Sequence, residues 1–518
     1  MGRKLPIGIQ SFEILRNENF LYVDKTPFVW KLVTEGRQFF LSRPRRFGKS
    51  LFLSTLKAYF EGRKDLFEDL KISELEKEWK KYPVFYFDFN GKDYSDIGSL
   101  AEVIERHLQE WESVYGIEAK GSSLEIRFAC LLEKAHKKTG LGSVVLVDEY
   151  DKSLLESEDE VLEKSRSLFK GFFGNLKKCD EHLRFVFITG VTKFSKVSIF
   201  SDLNQLKDIS ITKQYSSICG ITESELISNF RPELDEMADS QNLAYENCLA
   251  ELKRMYDGYH FYQNAEGVYN PFSLINALDN KDFQSYWFST GTPTSLIKKL
   301  EEANYNPKIF TTDDVFIDAD TISDYRTEST DPLPLFYQSG YLTIKDFNSE
   351  LREYTLGYPN DEVKYGFIKS LVPMFFHSED NVNILSIGCF VKDIRAGRIE
   401  EVLLRFKSLF ARLPYSIKTE DSVIEQNFQN VIYIVFMLMG QFVGIEEHYS
   451  LGRADCIVQT KDYVYLFEFK RDKLADKALS QIEEKKYAEP FAADPRKIVK
   501  VGVSFSSKEK NIVEWKIN

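Results

Sequence analysis

The chain has 518 residues, more than a single hydrophobic core ordinarily organises, and this length predicts roughly two to four domains. Apolar residues make up 43% and aromatic residues 14% of the sequence, a composition that excludes an intrinsically disordered chain. The formal net charge of −12 excludes a protein covered with nucleic acid over its whole surface, because phosphate binding requires clustered Lys and Arg. Acidic and basic residues are equal in number from Leu371 onward, so the C-terminal part is compatible with a local nucleic-acid surface.

The N-terminus, the apolar stretches and the cysteines indicate neither secretion, nor a membrane span, nor a zinc or disulfide framework. The N-terminal segment MGRKLPIGIQ has no apolar core, so we expect no secretory signal. The longest apolar stretch, Val431 to Gly440, is shorter than the roughly 18 residues that span a bilayer, and we expect a buried helix there. The six cysteines are scattered without a CxxC pair, which predicts neither a zinc site nor a disulfide framework. We therefore expect a cytoplasmic protein.

Short apolar runs alternate with longer amphipathic segments from Gln38 to about Thr212. The runs are QFFLS, PVFYFDFN, SVVLVDEYD, RFVFITG and KDISIT. Apolar runs separated by helical stretches predict a parallel sheet with helices on both faces. We therefore predict an α/β domain over residues 1–215.

The spacing of apolar residues changes twice after this domain. Apolar positions take helical spacing from Thr222 to about Ser370, which predicts a mostly helical middle region over residues 216–375. Beyond it, VIEQNFQNVIYIVFMLM predicts a long buried helix, and the strand-like runs RADCIV, DYVYLFEFK and KIVKVGVSF surround a further helix. This order predicts a smaller α/β domain over residues 376–518.

The run RPRRFGKS at residues 43–50 follows the first predicted strand and opens a helix. This is the context of a phosphate-binding P-loop, in which backbone amides and the helix N-terminus attract phosphate. We predict that Lys49 contacts the β and γ phosphates of ATP and that Ser50 binds Mg²⁺. Arg43 stands where the motif has its first glycine, and we expect its side chain to restrict the loop. A Gly-Lys-Ser that merely begins a helix is the alternative. The predicted nucleotide-binding set is Arg45, Arg46, Phe47, Gly48, Lys49, Ser50 and Leu51.

Two carboxylates, Asp148 and Glu149, follow the apolar run VVLV. They are expected at the C-terminal end of a strand, where α/β sheets bind ligands. Asp148 is predicted to hold magnesium, and Glu149 to act as the general base that polarises the attacking water. Acids that end a strand by meeting solvent are the alternative, which the accompanying P-loop disfavours. Thr189 or Thr192, after the next strand, is a candidate for contact with the γ phosphate, with an ordinary turn residue as the alternative.

Several of these segments together resemble the AAA-ATPase-like bacterial family, over residues 5–290 or so. The matching segments are LPIGIQSFEILRNENFLYVDKT, FLSRPRRFGKSLFLSTLKAYFEG, VVLVDEYDK, FITGVTKFS and YDGYHF. The resemblance implies a P-loop NTPase domain and makes Arg43 a feature of the lineage. It implies no particular substrate.

A second group of candidate residues lies near the C-terminus. Asp455 precedes one strand-like run, and Glu468 and Lys470 end the next. Residues two apart on a strand point to the same face, so Glu468 and Lys470 project together. If the two strands pair as a hairpin, Asp455 and Glu468 hold Mg²⁺ for phosphodiester hydrolysis, and Lys470 orients water or neutralises charge. A structural ion pair between Glu468 and Lys470 is the alternative.

This constellation resembles the PD-(D/E)XK nuclease superfamily over residues 420–510 or so, with Ala454 in place of the proline. The resemblance implies a restriction-endonuclease-like α/β fold for the C-terminal domain. It also adds Gln481 on the following helix and Glu425 on the preceding one. For both, a solvated helix position is the alternative.

Together these patterns predict an ATP-dependent enzyme in which an N-terminal ATPase controls a C-terminal magnesium-dependent nuclease. ATP and Mg²⁺ are the expected cofactors, nucleic acid is the expected partner with DNA favoured over RNA, and no membrane is involved. The oligomeric state is not indicated. The alternative is an ATP-dependent switch whose C-terminal domain binds nucleic acid or protein without cleaving it. The acidic balance favours this alternative, and the complete set Asp455, Glu468 and Lys470 disfavours it.

Overall fold

The computed structural model describes residues 4–116, 121–157, 159–193, 205–290, 296–297, 299–300, 315–322, 331–376, 386–411, 431–432, 434–447 and 455–518. The chain divides into two units, Met1–Tyr305 with Thr312–Val363, and Asn306–Thr311 with Lys364–Asn518. The predicted division into three domains, with boundaries after residues 215 and 375, stays a prediction.

The first unit contains a parallel sheet of β1 (Gln38–Ser42), β2 (Val84–Asp88), β3 (Ser143–Asp148), β4 (Leu183–Gly190) and β5 (Lys207–Asp208). The strand order is β2-β3-β4-β1-β5, and each neighbouring pair is parallel. β3 is buried along its whole length, as expected of a parallel strand on which helices pack, and its sequence is accordingly an unbroken apolar run. The predicted α/β fold class is confirmed.

The helices around these strands are α1 (Phe12–Asn17), α2 (Thr26–Glu35), α3 (Lys49–Phe60), α4 (Lys71–Leu75), α5 (Ser99–Tyr115), α6 (Leu124–Thr139), α7 (Lys152–Leu155) and α8 (Asp159–Lys178). Two of them, α1 and α2, precede β1, and α3 to α8 lie in the connections between β1 and β4, since parallel neighbours require a crossover. α3 leads directly out of β1 and packs on β3, while α5 and α6 pack on each other and on β2 and β3. The C-terminal ends of β1 and β3 therefore open toward the first turn of α3.

The middle of the chain continues the first unit with α9 (Glu223–Asn229), α10 (Arg231–Ser240), α11 (Tyr245–Tyr256) and α12 (Pro271–Asn280). α9 starts with a capping box, in which Thr222 Oγ1 accepts the N–H of Glu225 and the Glu225 carboxylate accepts the N–H of Thr222. These helices share one apolar core, which includes Leu226, Phe230, Leu234, Met237, Leu252, Leu274 and Leu278. The helical character predicted for this region is confirmed.

A small antiparallel sheet within the middle region was not predicted. It contains β6 (Val315–Asp318), β7 (Thr343–Asn348) and β8 (Glu353–Gly357) in the order β6-β8-β7, next to α13 (Leu333–Ser339) in the chain. These strands are only four to six residues long. An alternation of apolar and polar residues over so few positions is difficult to distinguish from helical spacing.

The second unit is built on a mixed sheet of β9 (Gly444–Glu447), β10 (Cys456–Gln459), β11 (Tyr463–Arg471), β12 (Lys497–Ser506) and β13 (Asn511–Ile517). The order is β13-β12-β11-β10-β9, with only β11 and β12 parallel. The helices are α14 (Asp361–Phe376), which starts in the first unit, α15 (Ile387–Arg395), α16 (Ile399–Phe410) and α17 (Ala475–Glu484). α17 connects β11 to β12 and approaches so closely that a Cβ at Gly502 would lie 2.7 Å from the carbonyl oxygen of Ala475.

The long apolar stretch near Val431 is only partly described. Residues 434–439 are helical and their side chains are buried, in agreement with the buried helix expected there. Within the described ranges, every helix is too short or too polar to cross a bilayer.

Candidate functional site

The loop between β1 and α3 contains two residues with positive φ. Gly48, with φ +89°, caps the start of α3, and Arg46 has φ +69°. Glycine adopts this conformation without steric cost, whereas arginine does not. The first N–H groups of α3 have no acceptor within the helix, so the loop and the helix N-terminus together form a place for an anion.

Arg43 occupies the position of the first P-loop glycine, and its side chain points into the protein. Only 1% of its surface is exposed. Nη1 donates to the carbonyl oxygens of Ser42 and Ser210 at 2.9 and 2.7 Å, and Nη2 donates to that of Tyr215 at 3.0 Å. The guanidinium also lies 3.9 Å over the ring of Phe261, and burial lowers the pKa of Arg43. The side chain thus anchors the loop to the segment that follows β5.

Lys49 places a buried ammonium group inside the loop. Its Nζ donates to the carbonyl oxygens of Arg43 and Pro44 at 2.9 and 3.1 Å. Ser50 follows in the first turn of α3 and is half-buried. The predicted phosphate-contacting and magnesium-binding residues are therefore adjacent on the helix that begins at the loop.

The two carboxylates at the end of β3 differ in their surroundings. Asp148 is fully buried; its Oδ2 accepts a long hydrogen bond of 3.4 Å from Tyr86 Oη, and its Oδ1 has no partner among the described residues. Burial raises the pKa of Asp148 to about 6, and the nearby Ser50 hydroxyl and Lys49 ammonium oppose that rise. Glu149 is half-buried and has a positive φ of 49°, a conformation that non-glycine residues rarely adopt.

The polar residues at the end of β4 and just after it are occupied by contacts within the protein. Thr189 Oγ1 donates to the carbonyl oxygen of Leu41 at 2.9 Å. Thr192 donates its backbone N–H and its hydroxyl to Asp151, each at 2.6 Å, and Val191 N–H donates to the same carboxylate. Asp151 is buried, and burial raises its pKa. Asp151 therefore joins the end of β3 to the end of β4, a role that the sequence did not suggest.

A cavity of about 420 Å³ opens beside the phosphate loop. The predicted residues that line it are Arg45, Arg46, Gly48, Lys49, Ser50, Leu51 and Glu149. Phe47, Asp148 and Thr189 do not line it. The walls that sequence reasoning missed include residues 6–10 near the N-terminus and Pro271, Phe272, Ile275 and Asn276 on α12. Periodicity gives no signal for these residues, because they reach the cavity only through tertiary packing.

Phe47 holds the loop against the middle region. Its ring is buried, with centroid distances of 4.7 Å to Tyr259 and 5.5 Å to Phe261. Gly258 has φ +91°, and a Cβ there would lie 2.1 Å from the carbonyl oxygen of Pro359. The YDGYHF segment, for which the sequence indicated no chemical role, is therefore the turn that presents these two rings to the loop.

The C-terminal candidates come together on a hairpin. β10 and β11 pair antiparallel with Cys456 opposite Phe467. Asp455 lies just before β10, and its Oδ2 accepts the N–H of Phe469 at 2.8 Å. Lys470 Nζ donates to Glu468 Oε1 at 2.7 Å. The strand pairing on which the predicted site depends is present in the fold.

Glu468 is the most buried of these three residues, with 1% of its surface exposed. Burial raises its pKa; the Asp455 carboxylate adds to the rise, and Lys470 opposes it. Its Oε2 is buried and has no hydrogen-bond partner in the part of the chain that the structure describes. A carboxylate oxygen in this state fits a hard cation such as Mg²⁺, which prefers oxygen ligands.

Of the two further candidates of this region, Gln481 and Glu425, the structure describes only Gln481. Gln481 lies on α17, is half-buried, and donates through Nε2 to Tyr487 Oη at 3.2 Å. Glu425 lies outside the described residues.

The segments that contain the two sites each match the model of a known protein family. A family model described as "Predicted AAA-ATPase" matches residues 6–200, and one described as "PD-(D/E)XK nuclease superfamily" matches residues 423–515. A protein of Azotobacter chroococcum mcd 1, described as "Uncharacterized protein in vnfD 5'region", is 35% identical over 523 residues, which cover 99% of this chain and 98% of that protein.

A phosphate loop that follows the first strand of a parallel sheet is typical of P-loop nucleotide-binding proteins. The hairpin in the second sheet brings Asp455, Glu468 and Lys470 together. The chain belongs to the predicted AAA-ATPase family and carries a C-terminal domain of the PD-(D/E)XK nuclease superfamily. Both resemblances drawn from the sequence are thereby confirmed.

Proposed function

We propose that the protein binds and hydrolyses ATP and that this activity controls a magnesium-dependent nuclease in its second unit. The observation that carries the proposal is the convergence, at one cavity, of the phosphate loop, the buried ammonium of Lys49 and the carboxylate of Glu149 at the end of β3, with Asp148 buried next to it in the chain. The nuclease half rests on the meeting of Asp455, Glu468 and Lys470 on the β10–β11 hairpin.

ATP fits the cavity with its triphosphate in the loop. Lys49 exchanges its two carbonyl acceptors for oxygens of the β and γ phosphates, which are stronger acceptors because they are charged. The helix N-terminus at Gly48 and the exposed side chains of Arg45 and Arg46 add positive potential on the same wall.

Mg²⁺ fits the pair Ser50 and Asp148. Both offer oxygen ligands, and the buried Oδ1 of Asp148 has no other partner within the described ranges. The ion supplies charge neutralisation on the phosphates. Glu149, half-buried on the cavity wall, is the general base that orients the attacking water and accepts its proton. Thr189 keeps only an indirect role, through β1.

The second Mg²⁺ site consists of Asp455 and Glu468. Oε2 of Glu468, which has no hydrogen-bond partner among the described residues, would be one ligand, and a bound ion would supply charge neutralisation at the phosphodiester oxygen. Lys470 neutralises the charge that develops during cleavage or orients the attacking water. We propose DNA as the substrate, in keeping with the balanced charge of the C-terminal part.

One observation favours the alternative of a switch that binds without cleaving. Lys470 pairs with Glu468, and Gln481 pairs with Tyr487, so these polar groups are satisfied inside the protein as they are in a structural network. Under this alternative ATP changes the conformation, and the second unit only binds its partner.

The test has a nucleotide arm and a nuclease arm. ATP turnover is measured for the wild-type protein, for Lys49→Ala, and for Lys64→Ala, an exposed lysine shortly after the same helix. Cleavage of labelled single- and double-stranded DNA and RNA is measured with Mg²⁺ or Mn²⁺, with and without ATP. The variants in this arm are Asp455→Ala/Glu468→Ala and the exposed control Glu484→Ala.

We expect turnover to be lost only in Lys49→Ala, and ATP-dependent cleavage to be lost only in the double variant. Absence of turnover in the wild-type protein contradicts the ATPase. Turnover without cleavage of any substrate contradicts the nuclease and favours the switch.

A further inference from the structure

An indole group of the middle region donates a side-chain hydrogen bond to the phosphate loop. Trp287 Nε1–H donates to the carbonyl oxygen of Arg45 at 3.1 Å. The Trp287 ring is buried and packs against Tyr341 with a centroid distance of 5.2 Å. Because an indole has one polar group, the hydrogen-bonding capacity of the Trp287 side chain is used entirely on the loop.

A buried carboxylate fixes the backbone of this tryptophan. Glu362 Oε1 accepts the N–H of Trp287 at 2.7 Å, and Oε2 accepts the hydroxyl of Ser273 at 2.7 Å. Glu362 is 1% exposed, and burial raises its pKa to about 7, while the hydrogen bonds from Ser273 and Trp287 oppose the rise. A buried carboxyl group is costly unless its oxygens are hydrogen-bonded, so these contacts hold Glu362 and the backbone of Trp287 in one arrangement.

The same network reaches the wall of the cavity. Ser273 lies on α12, and its neighbour Phe272 carries the Arg46 guanidinium over its ring at 4.7 Å. Phe272 also lines the cavity. Glu362 lies in the first turn of α14, the helix within which the chain passes into the second unit. The phosphate loop and the start of α14 are thus joined through two hydrogen bonds and one tryptophan.

We propose that Trp287 is a positioning residue that holds the phosphate loop in its ATP-binding conformation, and that Glu362 and Ser273 hold Trp287. Binding of ATP in the nucleotide site then affects the first turn of α14 through Trp287 and Glu362. This inference rests on the proposed function of the loop as an ATP site. It assigns a positioning role to a residue that no nucleotide-binding motif contains.

The test separates ATP binding from the tryptophan signal. ATP affinity is measured directly with labelled nucleotide and Mg²⁺, and tryptophan emission is recorded in the same titration. The variants are Trp287→Phe, which keeps a ring but removes the N–H, and the control Trp111→Phe, at a tryptophan that packs on Phe85 and Phe87. Glu362→Ala and Glu362→Gln complete the set, since glutamine retains an acceptor for the Trp287 N–H.

We expect ATP to change the emission of the wild-type protein and of Trp111→Phe but not of Trp287→Phe. Trp287→Phe removes the hydrogen bond to the loop, and Glu362→Ala removes the acceptor that fixes the Trp287 backbone, so we expect each to raise the Kd and KM for ATP about two- to tenfold, with kcat changed less. Glu362→Gln restores affinity to near the wild-type value. If Trp287→Phe folds poorly, Ser273→Ala takes its place, with a smaller rise in Kd.

Wild-type affinity in Trp287→Phe or, in its place, Ser273→Ala, together with wild-type affinity in Glu362→Ala, overturns the positioning role. An ATP-dependent emission change that persists in Trp287→Phe overturns it as well. Failure of the wild-type protein to bind labelled ATP overturns both this inference and the ATP site on which it rests.

Discussion

Replacing Arg43 by glycine restores the P-loop consensus, yet we expect the change to destabilise the first unit. It removes three hydrogen bonds from the guanidinium to backbone carbonyls and the contact with the Phe261 ring. Hydrogen bonds from a charged donor contribute about 1.5–3 kcal/mol each, and a desolvated cation–π contact contributes about 2 kcal/mol. Relief from burying the guanidinium offsets several kcal/mol of this loss. We expect a net decrease of about 3–5 kcal/mol in the free energy of unfolding.

The matched control is Arg46→Gly, three positions along the same loop. Arg46 is exposed and has φ +69°, a conformation that disfavours a side chain by roughly 1–2 kcal/mol. Glycine relieves this strain and removes only an exposed stacking contact with Phe272. We therefore expect the free energy of unfolding of Arg46→Gly to stay within about 1 kcal/mol of wild type.

Thermal and urea unfolding, followed by circular dichroism, compares the two variants, and ATP affinity is measured beside them. We expect Arg43→Gly to melt several degrees below the wild-type protein and to bind ATP more weakly, because the loop loses its anchor. A wild-type melting temperature for Arg43→Gly, or an equal fall in both variants, would refute the assignment of Arg43 as a buried anchor.

Three further predictions concern the carboxylates. Glu149→Gln is expected to bind ATP normally while its turnover falls about 10²- to 10⁴-fold, because the general base is lost; unchanged turnover in a steady-state assay contradicts that role. The folded-state pKa of Asp148, about 6, lies above that of the unfolded chain, so without metal its contribution to the free energy of unfolding falls as pH rises from about 4 to about 6 and is level above. Asp148→Asn removes this contribution, so unfolding experiments across that range should give a smaller slope than for the wild-type protein and a stability at pH 7 higher by about 3 kcal/mol, whereas a slope equal to the wild-type slope contradicts the assignment. Lys470→Met leaves Glu468 buried without its cation and destabilises the second unit by about 3–5 kcal/mol; adding Glu468→Gln recovers stability in a melting assay but not cleavage, and equal melting of the single and double variants contradicts the pairing.

The class of the fold and the candidate residues follow from local patterns. A strand and the turn after it are formed by neighbours in the chain. The sequence therefore shows directly the apolar runs that end in carboxylates and the glycine–lysine–serine before a helix. The hairpin that joins Asp455 to Glu468 was predictable for the same reason, since its two strands are separated by a short turn.

The partners of these residues were decided only by the tertiary structure. The direction of the Arg43 side chain depends on carbonyl oxygens at positions 210 and 215, and the position of Trp287 depends on Glu362. No local pattern connects groups this far apart in the chain. The residues of the cavity wall near the N-terminus and on α12 were missed for the same reason. The sequence by itself determined which groups can bind phosphate and metal, whereas packing between distant segments decided which of them face the cavity and what holds them there.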